Sequence, residues 1–440
     1  MRLYTAYAII GSMFKSYIQK KLEHYVKEYF AKHSEVKLVV VTGSVGKTST
    51  KNAIATILSE QFRVRMENNN HNTELSAPVA MLGIEFPEKV HSVWAWLAVL
   101  RAAKKRINNP TDVDVIVQEL GTDRPGEIAH FGTYLRPDIA VVTAVTPEHM
   151  EFFGTIETVA QEELTVINYS QIGLINRDDI DGRFADFITN PNTDTYGTTN
   201  AAEYRFESGD TLSLDGYKGK FSAPELSAPL STTLHVLGEH SMRPVVAAMA
   251  VGCKLGMTPD VLSRGAAKVR PVAGRMNLLR GLNNSLIIDD TYNSSPAAAT
   301  AALQTLYSID APQRVAILGS MNELGATSAD EHTKLGHYCD PSLLAWVITV
   351  GKDAKEYLAP AARARGCQVK SFDSPVEAGA FAHKMLEPQA IILAKGSQGG
   401  IFLEEAVKLL LHETQEDRGL VRQSPAWLQE KRKYFDSISS

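Results

Sequence analysis

An apolar run, Leu38-Val39-Val40-Val41, leads into Thr42-Gly43-Ser44-Val45-Gly46-Lys47-Thr48-Ser49, and a helical pattern follows. Residues of these types in this order hold phosphate. A strand that gives way through glycines to a helix N-terminus turns several backbone N–H groups toward one point, and the helix dipole favours an anion there. In such a loop a lysine reaches the outer phosphates of a nucleotide and a Thr hydroxyl ligates Mg²⁺. Gly43, Ser44, Gly46, Lys47, Thr48 and Ser49 are therefore the candidate nucleotide-binding residues. The strict motif wants glycine where this chain has Val41, but the shorter Gly-x-x-Gly-Lys-Thr turn supplies the same groups. The plain alternative is an ordinary strand-to-helix turn that happens to contain Gly-Lys-Thr.

Two further segments carry what a metal-nucleotide site needs. Glu119 ends the compact run 113–119, just before Gly121, and His149 follows the run 138–145 within Thr146-Pro147-Glu148-His149. Singly, each reads as a solvated strand-end carboxylate or a hydrogen-bonded loop histidine. Open α/β sheets, however, collect ligands at the carboxyl ends of their strands, so topology alone brings both near the phosphate loop.

The elements that must position these residues are legible as an alternation. Runs 36–42, 113–119, 138–145 and 172–176 read as buried strands, and 47–61 and 241–255 as helices. Residues 204–221 alternate polar and apolar between glycines, as an antiparallel extension does. A second series begins after Val269, with strands at 285–290, 314–318, 344–350, 368–372 and 390–394. Helices are expected at 296–307, 330–338, 376–386 and 401–411. The expected fold is α/β: a P-loop-type, mostly parallel sheet over residues 36–269 and a Rossmann-like α/β domain over 270–440. A short amphipathic helix over 1–35 precedes them.

That helix has two readings. Lys15, Lys20, Lys21, Lys27 and Lys32 interleave with Tyr17, Ile18, Leu22, Tyr25, Val26, Tyr29 and Phe30. This pattern packs a helix on the body of the protein, or lays residues 3–32 weakly on a membrane surface. The apolar stretch 3–14 is too short to span a bilayer. A net charge of −5 in 440 residues gives no reason to expect nucleic-acid binding. Three scattered cysteines, Cys253, Cys339 and Cys367, argue against a disulfide framework and suit a cytoplasmic protein.

Together the segments resemble the Mur ligase superfamily, whose members couple ATP cleavage to joining a carboxylate and an amine. The nearest likeness is the branch that adds D-alanyl-D-alanine to a muramyl tripeptide. Matching stretches run in family order: 42–51, 70–82, 119–128, 136–154, 176–179, 238–256, 274–275, 289–296, 318–325 and 395–399. The resemblance implies ATP and Mg²⁺, with Lys47 on the phosphates, Thr48 and Glu119 on one metal ion and His149 on a second. It sets Asn72, within Asn70-His71-Asn72-Thr73-Glu74, beside the acyl-phosphate site. Arg275 and Asp290 would meet the nucleotide from the C-terminal domain. Tyr292, Asn293, Lys395 and Ser397 would face the cleft that holds the amine.

Three departures qualify the likeness. Members of the family carry a sugar-nucleotide-gripping domain before the phosphate loop, where this chain has only residues 1–41. An acceptor other than the usual one therefore stands beside the D-alanyl-D-alanine reading: a lipid-linked precursor, a γ-glutamyl polymer or a folate-like molecule. A nucleotide-binding protein that has lost ligation is the alternative of a different class. Many members use a carbamylated lysine after the metal histidine; here that position is Glu163, a permanent carboxylate able to face a metal, unless Glu162 and Glu163 are surface charges. Finally, Ser241 and Pro244 stand where asparagines often read adenine, with Pro244 expected in the first turn of its helix, and Gln398 replaces an arginine.

Overall fold

The computed structural model describes residues 2–439 apart from 68–70, 149, 200 and 210–212, with side chains over 14–436. Nine strands form the first sheet: β1 Lys37–Thr42, β2 Val64–Met66, β3 Val115–Glu119, β4 Ile139–Val142, β5 Ile172–Asn176, β6 Thr193–Gly197, β7 Tyr204–Ser208, β8 Tyr217–Ser222 and β9 Leu230–Leu234. Their order is β2-β3-β1-β4-β5-β6-β7-β8-β9. Pairing is parallel from β2 to β7, and β8 and β9 join antiparallel, as the alternation in 204–221 anticipates.

The unbroken valines of β1 follow from burial on both faces. Leu38 and Val40 enter one core with the N-terminal helix and the helices Val93–Asn108 and Ile156–Asn168. Val39 and Val41 enter another with the helices Lys47–Leu58 and Glu239–Lys254. A second sheet of six strands has β10 Asn277–Arg280, β11 Leu286–Asp290, β12 Arg314–Gly319, β13 Trp346–Val350, β14 Val369–Phe372 and β15 Ile391–Lys395. Its order is β10-β11-β15-β12-β13-β14, parallel except for β10.

The N-terminal helix, Arg2–Lys32, is a packed element from residue 18 onward. Ile18, Leu22, Val26 and Tyr29 recur at helical spacing and are at most 1% exposed, while the Tyr29 hydroxyl bonds Thr111 Oγ1 at 3.1 Å. Four such burials stabilise by about 6–12 kcal/mol together, comparable with the roughly 5–15 kcal/mol of a whole domain. A chain starting at Ser34 is therefore expected to lose cooperative folding, read as loss of the thermal transition by circular dichroism. An unchanged melting temperature would show that the helix is dispensable.

Two local expectations are corrected. Pro244 lies in the second turn of Glu239–Lys254, where its missing N–H removes the bond to the His240 carbonyl. The helix expected over 401–411 is only Glu404–Lys408. Phe402 takes φ 50° before it, and Leu411 leaves it to pair with Gly281.

Candidate active site

The chain order reverses at β1, which has β3 on one side and β4 on the other, and the crevice beyond their carboxyl ends is where such sheets bind ligands. The loop after β1 is shaped by two glycines. Gly46, at φ +88°, is the residue before the helix Lys47–Leu58. Gly43, at φ +125°, lies so close to the end of β4 that a Cβ would stand 2.3 Å from Thr143 Oγ1 and 2.8 Å from Ala144 N. Only glycine lets the backbone run through that gap.

Register then delivers the side chains. Val41 pairs with Glu119 across β1 and β3, which brings the carboxylate beside the loop. Thr48 Oγ1 donates to Glu119 Oε2 at 3.0 Å, and Asn72 Nδ2 donates to Glu119 Oε1 at 3.1 Å. Lys51, buried one turn further along the helix, stands 3.7 Å from Glu119 Oε2 and donates to the Glu67 carbonyl. Lys47 folds its ammonium back onto the Gly43 carbonyl and stands 3.7 Å from Glu148 Oε1. Burial works to lower the Lys47 pKa, but Glu148, Glu163 and Glu119 outweigh it and hold the ammonium above its ordinary value. Burial pushes Glu148 up to about 8 despite the opposing Lys47 charge.

Glu163 is fully buried. Its Oε2 accepts from the Thr42 hydroxyl and from Gly43 N, and burial raises its pKa although both bonds favour the anion. Glu162 is buried too, accepting from Gly126 N at 2.7 Å, Ile128 N at 2.6 Å and Thr122 Oγ1 at 3.2 Å, so it anchors the start of the helix Glu127–Phe131. The surface-charge reading of this pair is thereby corrected.

From the opposite wall, Arg275 Nη2 reaches Thr48 Oγ1 at 3.2 Å, its guanidinium lying 4.1 Å over the Tyr292 ring. Asp290 Oδ2 accepts from Lys395 Nζ at 2.6 Å, and the same ammonium donates to the Asn293 carbonyl. These groups line one cleft of about 930 Å³ with Ser44, Lys47 and Glu148. Ser397 is not among its lining: 1% exposed, it accepts from Asn322 N and donates to the Ser294 carbonyl, and so braces the loop. His149 lies outside the described residues. Glu148 and Lys51 went unassigned in the sequence, although Glu148 stands in the same tetrapeptide as His149 and Lys51 one turn past Lys47.

The donors suit Mg²⁺, a hard cation that prefers oxygen and keeps several waters or phosphate oxygens in its shell. Thr48 and Glu119 supply a hydroxyl and a carboxylate, and among the described residues the buried Glu163 Oε1 and Glu148 Oε1 have no hydrogen-bond partner. Among the described residues no three His, Cys, Asp or Glu side chains cluster as an all-protein metal cage.

Burial also raises Asp289, at the end of β11, to about 6, although it accepts from Thr291 and Gly274 N. Its folded pKa exceeds the unfolded value, so its contribution to stability is full below pH 4 and is lost as pH rises through 6. Asp289→Asn should remove that fall, measured by urea unfolding between pH 4 and 7. An unchanged slope would count against a raised Asp289.

Two family models match the chain: the Mur ligase middle domain over residues 41–252 and the Mur ligase glutamate ligase domain over 274–398. The chain belongs to the Mur ligase family. The curated relatives of this Mur ligase include the UDP-N-acetylmuramoyl-tripeptide–D-alanyl-D-alanine ligase of Bacillus subtilis (strain 168), 27% identical over 328 residues. That match covers 72% of this chain and 63% of the relative. The enzyme of the same name from Escherichia coli (strain K12) is 27% identical over 378 residues, covering 85% of this chain and 76% of the relative. Among solved structures, the MurF ligase from Thermotoga maritima in complex with ADP superposes with a TM-score of 0.71 at 22% identity, covering 91% of this chain and 84% of that one. The expected α/β architecture is therefore the fold of Mur ligases.

Proposed function

We propose that the protein is an ATP-dependent ligase joining a carboxylate to an amine through an acyl phosphate, in the synthesis of a cell-wall peptide precursor. The observation that carries this is the convergence on one cleft of Lys47, the Thr48–Glu119 pair and, from the other wall, Arg275. The names of the Bacillus and Escherichia relatives support D-alanyl-D-alanine as the amine to try first. The intact phosphate loop favours catalysis over a non-catalytic nucleotide-binding role.

In this reading an acceptor carboxylate oxygen attacks the γ-phosphorus of ATP and ADP departs. The amine then attacks the activated carbonyl and phosphate leaves, giving the amide. Mg²⁺ bound at Thr48 and Glu119, with His149 as a further candidate ligand, would neutralise charge on the phosphates. Lys47 faces the same developing charge as a permanent ammonium, and Asn72 holds Glu119 in position through its amide. Gly43, Ser44, Gly46 and Ser49 offer the loop's phosphate cradle. Asp290, with Arg275, faces the nucleotide from the other wall, and Tyr292, Asn293 and Lys395 border the side from which the amine arrives. Glu163, beneath the loop, takes the part of the carbamylated lysine as a fixed negative charge.

The proposed partners are small molecules in the cytoplasm. Among the described residues no helix is long and apolar enough to cross a membrane. The weak membrane-surface contact proposed for residues 3–32 narrows to the first half of that helix, because Ile18, Leu22, Val26 and Tyr29 are already buried. Sedimentation of the full chain with anionic vesicles at low salt tests it; no binding removes it. The main test is phosphate release from ATP with muramyl-peptide, lipid-linked, γ-glutamyl and folate acceptors, each paired with D-alanyl-D-alanine or single amino acids. Release that needs both acceptor and amine is expected; release indifferent to every pair would overturn the ligase reading.

A further inference from the structure

The carboxyl-terminal segment packs behind the cleft wall through Arg422, a 9% exposed residue in a left-handed backbone conformation (φ 56°) that bonds the Tyr292 carbonyl. Its guanidinium forks onto Glu404, with Nε to Oε1 at 2.8 Å and Nη2 to Oε2 at 2.6 Å, and Glu404 has no exposed surface. Its other bonds end on backbone: Nη1 donates to the Tyr292 carbonyl at 3.0 Å and Nη2 to the Thr291 carbonyl at 2.6 Å. Lys431, on the terminal helix Pro425–Ser439, closes on Glu404 at 2.7 Å and Glu405 at 2.6 Å.

Thr291 and Tyr292 directly follow β11, Thr291 fully buried and Tyr292 lining the cleft. Tyr292 N donates to the Gly274 carbonyl, tying this loop to the residue before Arg275. The Tyr292 ring then supports the Arg275 guanidinium, which touches Thr48. A contiguous path thus runs from the terminal segment to the phosphate loop.

A buried ion pair is weak evidence for stability, since apolar packing of equal volume often does as well. What apolar packing cannot do is hold a carboxylate and two successive carbonyls at fixed angles; a planar fork of N–H donors can. We propose that Arg422 is a positioning residue for nucleotide binding. It fixes the Thr291 and Tyr292 carbonyls so that the Tyr292 ring holds Arg275 against Thr48, and the docked terminal segment thereby completes the phosphate site. This rests on the nucleotide-binding reading of the loop.

The test is titration calorimetry of the full chain with Mg²⁺ and the non-hydrolysable analogue AMP-PNP. Arg422→Lys keeps the charge and loses the fork. It should weaken binding about tenfold in the wild-type background but less than about threefold once Arg275→Lys is present, because residues acting through one contact are not additive. Equal losses in both backgrounds, or none in either, would overturn the proposal. If Arg422→Lys fails to fold, Tyr292→Leu removes the ring while leaving the Glu404 network whole, and the same non-additivity with Arg275→Lys is required of it. Wild-type protein that ignores AMP-PNP overturns the nucleotide reading and this inference together; wild-type binding with additive losses overturns this inference alone.

Discussion

Lys47→Ala should lower ATP turnover by about 10²–10³-fold, the loss expected when one group aimed at developing negative charge is removed. The protein should remain folded. Among the described residues the Lys47 ammonium bonds its own loop carbonyl and faces Glu148 at 3.7 Å, contacts on the loop and not in the core. The neighbours sharpen the expectation. Burial works against the Lys47 charge, but Glu148, Glu163 and Glu119 outweigh it and hold the pKa above its ordinary value. Steady-state phosphate release, with a thermal melt as the control for folding, decides the matter. A variant that turns over at the wild-type rate would remove the phosphate loop from the mechanism.

Glu163→Gln should lower Mg²⁺-dependent turnover by about 10–100-fold, the range for groups that support a metal site from behind. Glu163 Oε2 receives two donors, the Thr42 hydroxyl and Gly43 N, at the point where β1 becomes the loop. A glutamine can still turn its oxygen toward them, so the loop survives. What is lost is the negative charge facing Lys47. Wild-type activity should not respond to added bicarbonate, because no carbamate has to form on a residue that is already a carboxylate. Stimulation by bicarbonate, or an unaffected Gln variant, would show that Glu163 is a loop brace without a charge role.

The sequence is most informative where chemistry and local geometry coincide. The phosphate loop is legible because glycines, lysine and threonine are adjacent in the chain, and Glu119 because it closes a strand of apolar residues. Buried strands with valine on both faces are equally plain. The helix Val93–Asn108 is not, since Val93 at 49% and Trp94 at 76% exposure blur its apolar period. β2 and β10 have three and four residues, too short for a periodic signal. Ser397 reads as a cleft residue from its place after Lys395-Gly396, but only the folded chain shows its hydroxyl spent on Asn322 and Ser294. Glu148 and Arg422 matter through burial against residues 101 and 130 positions away, Lys47 and Tyr292. No local pattern encodes such pairings.

In the proposed mechanism a carboxylate is activated as an acyl phosphate in the cleft between Lys47 and Arg275. An acceptor labelled with ¹⁸O in both carboxylate oxygens tests it directly, using the acceptor–amine pair that supports phosphate release. When the amine displaces phosphate, one labelled oxygen leaves with it. Mass spectrometry should therefore find one ¹⁸O in each released phosphate and one retained in the amide carbonyl. Unlabelled phosphate accompanying amide formation would contradict the claim, because the carboxylate would then never have attacked the γ-phosphorus.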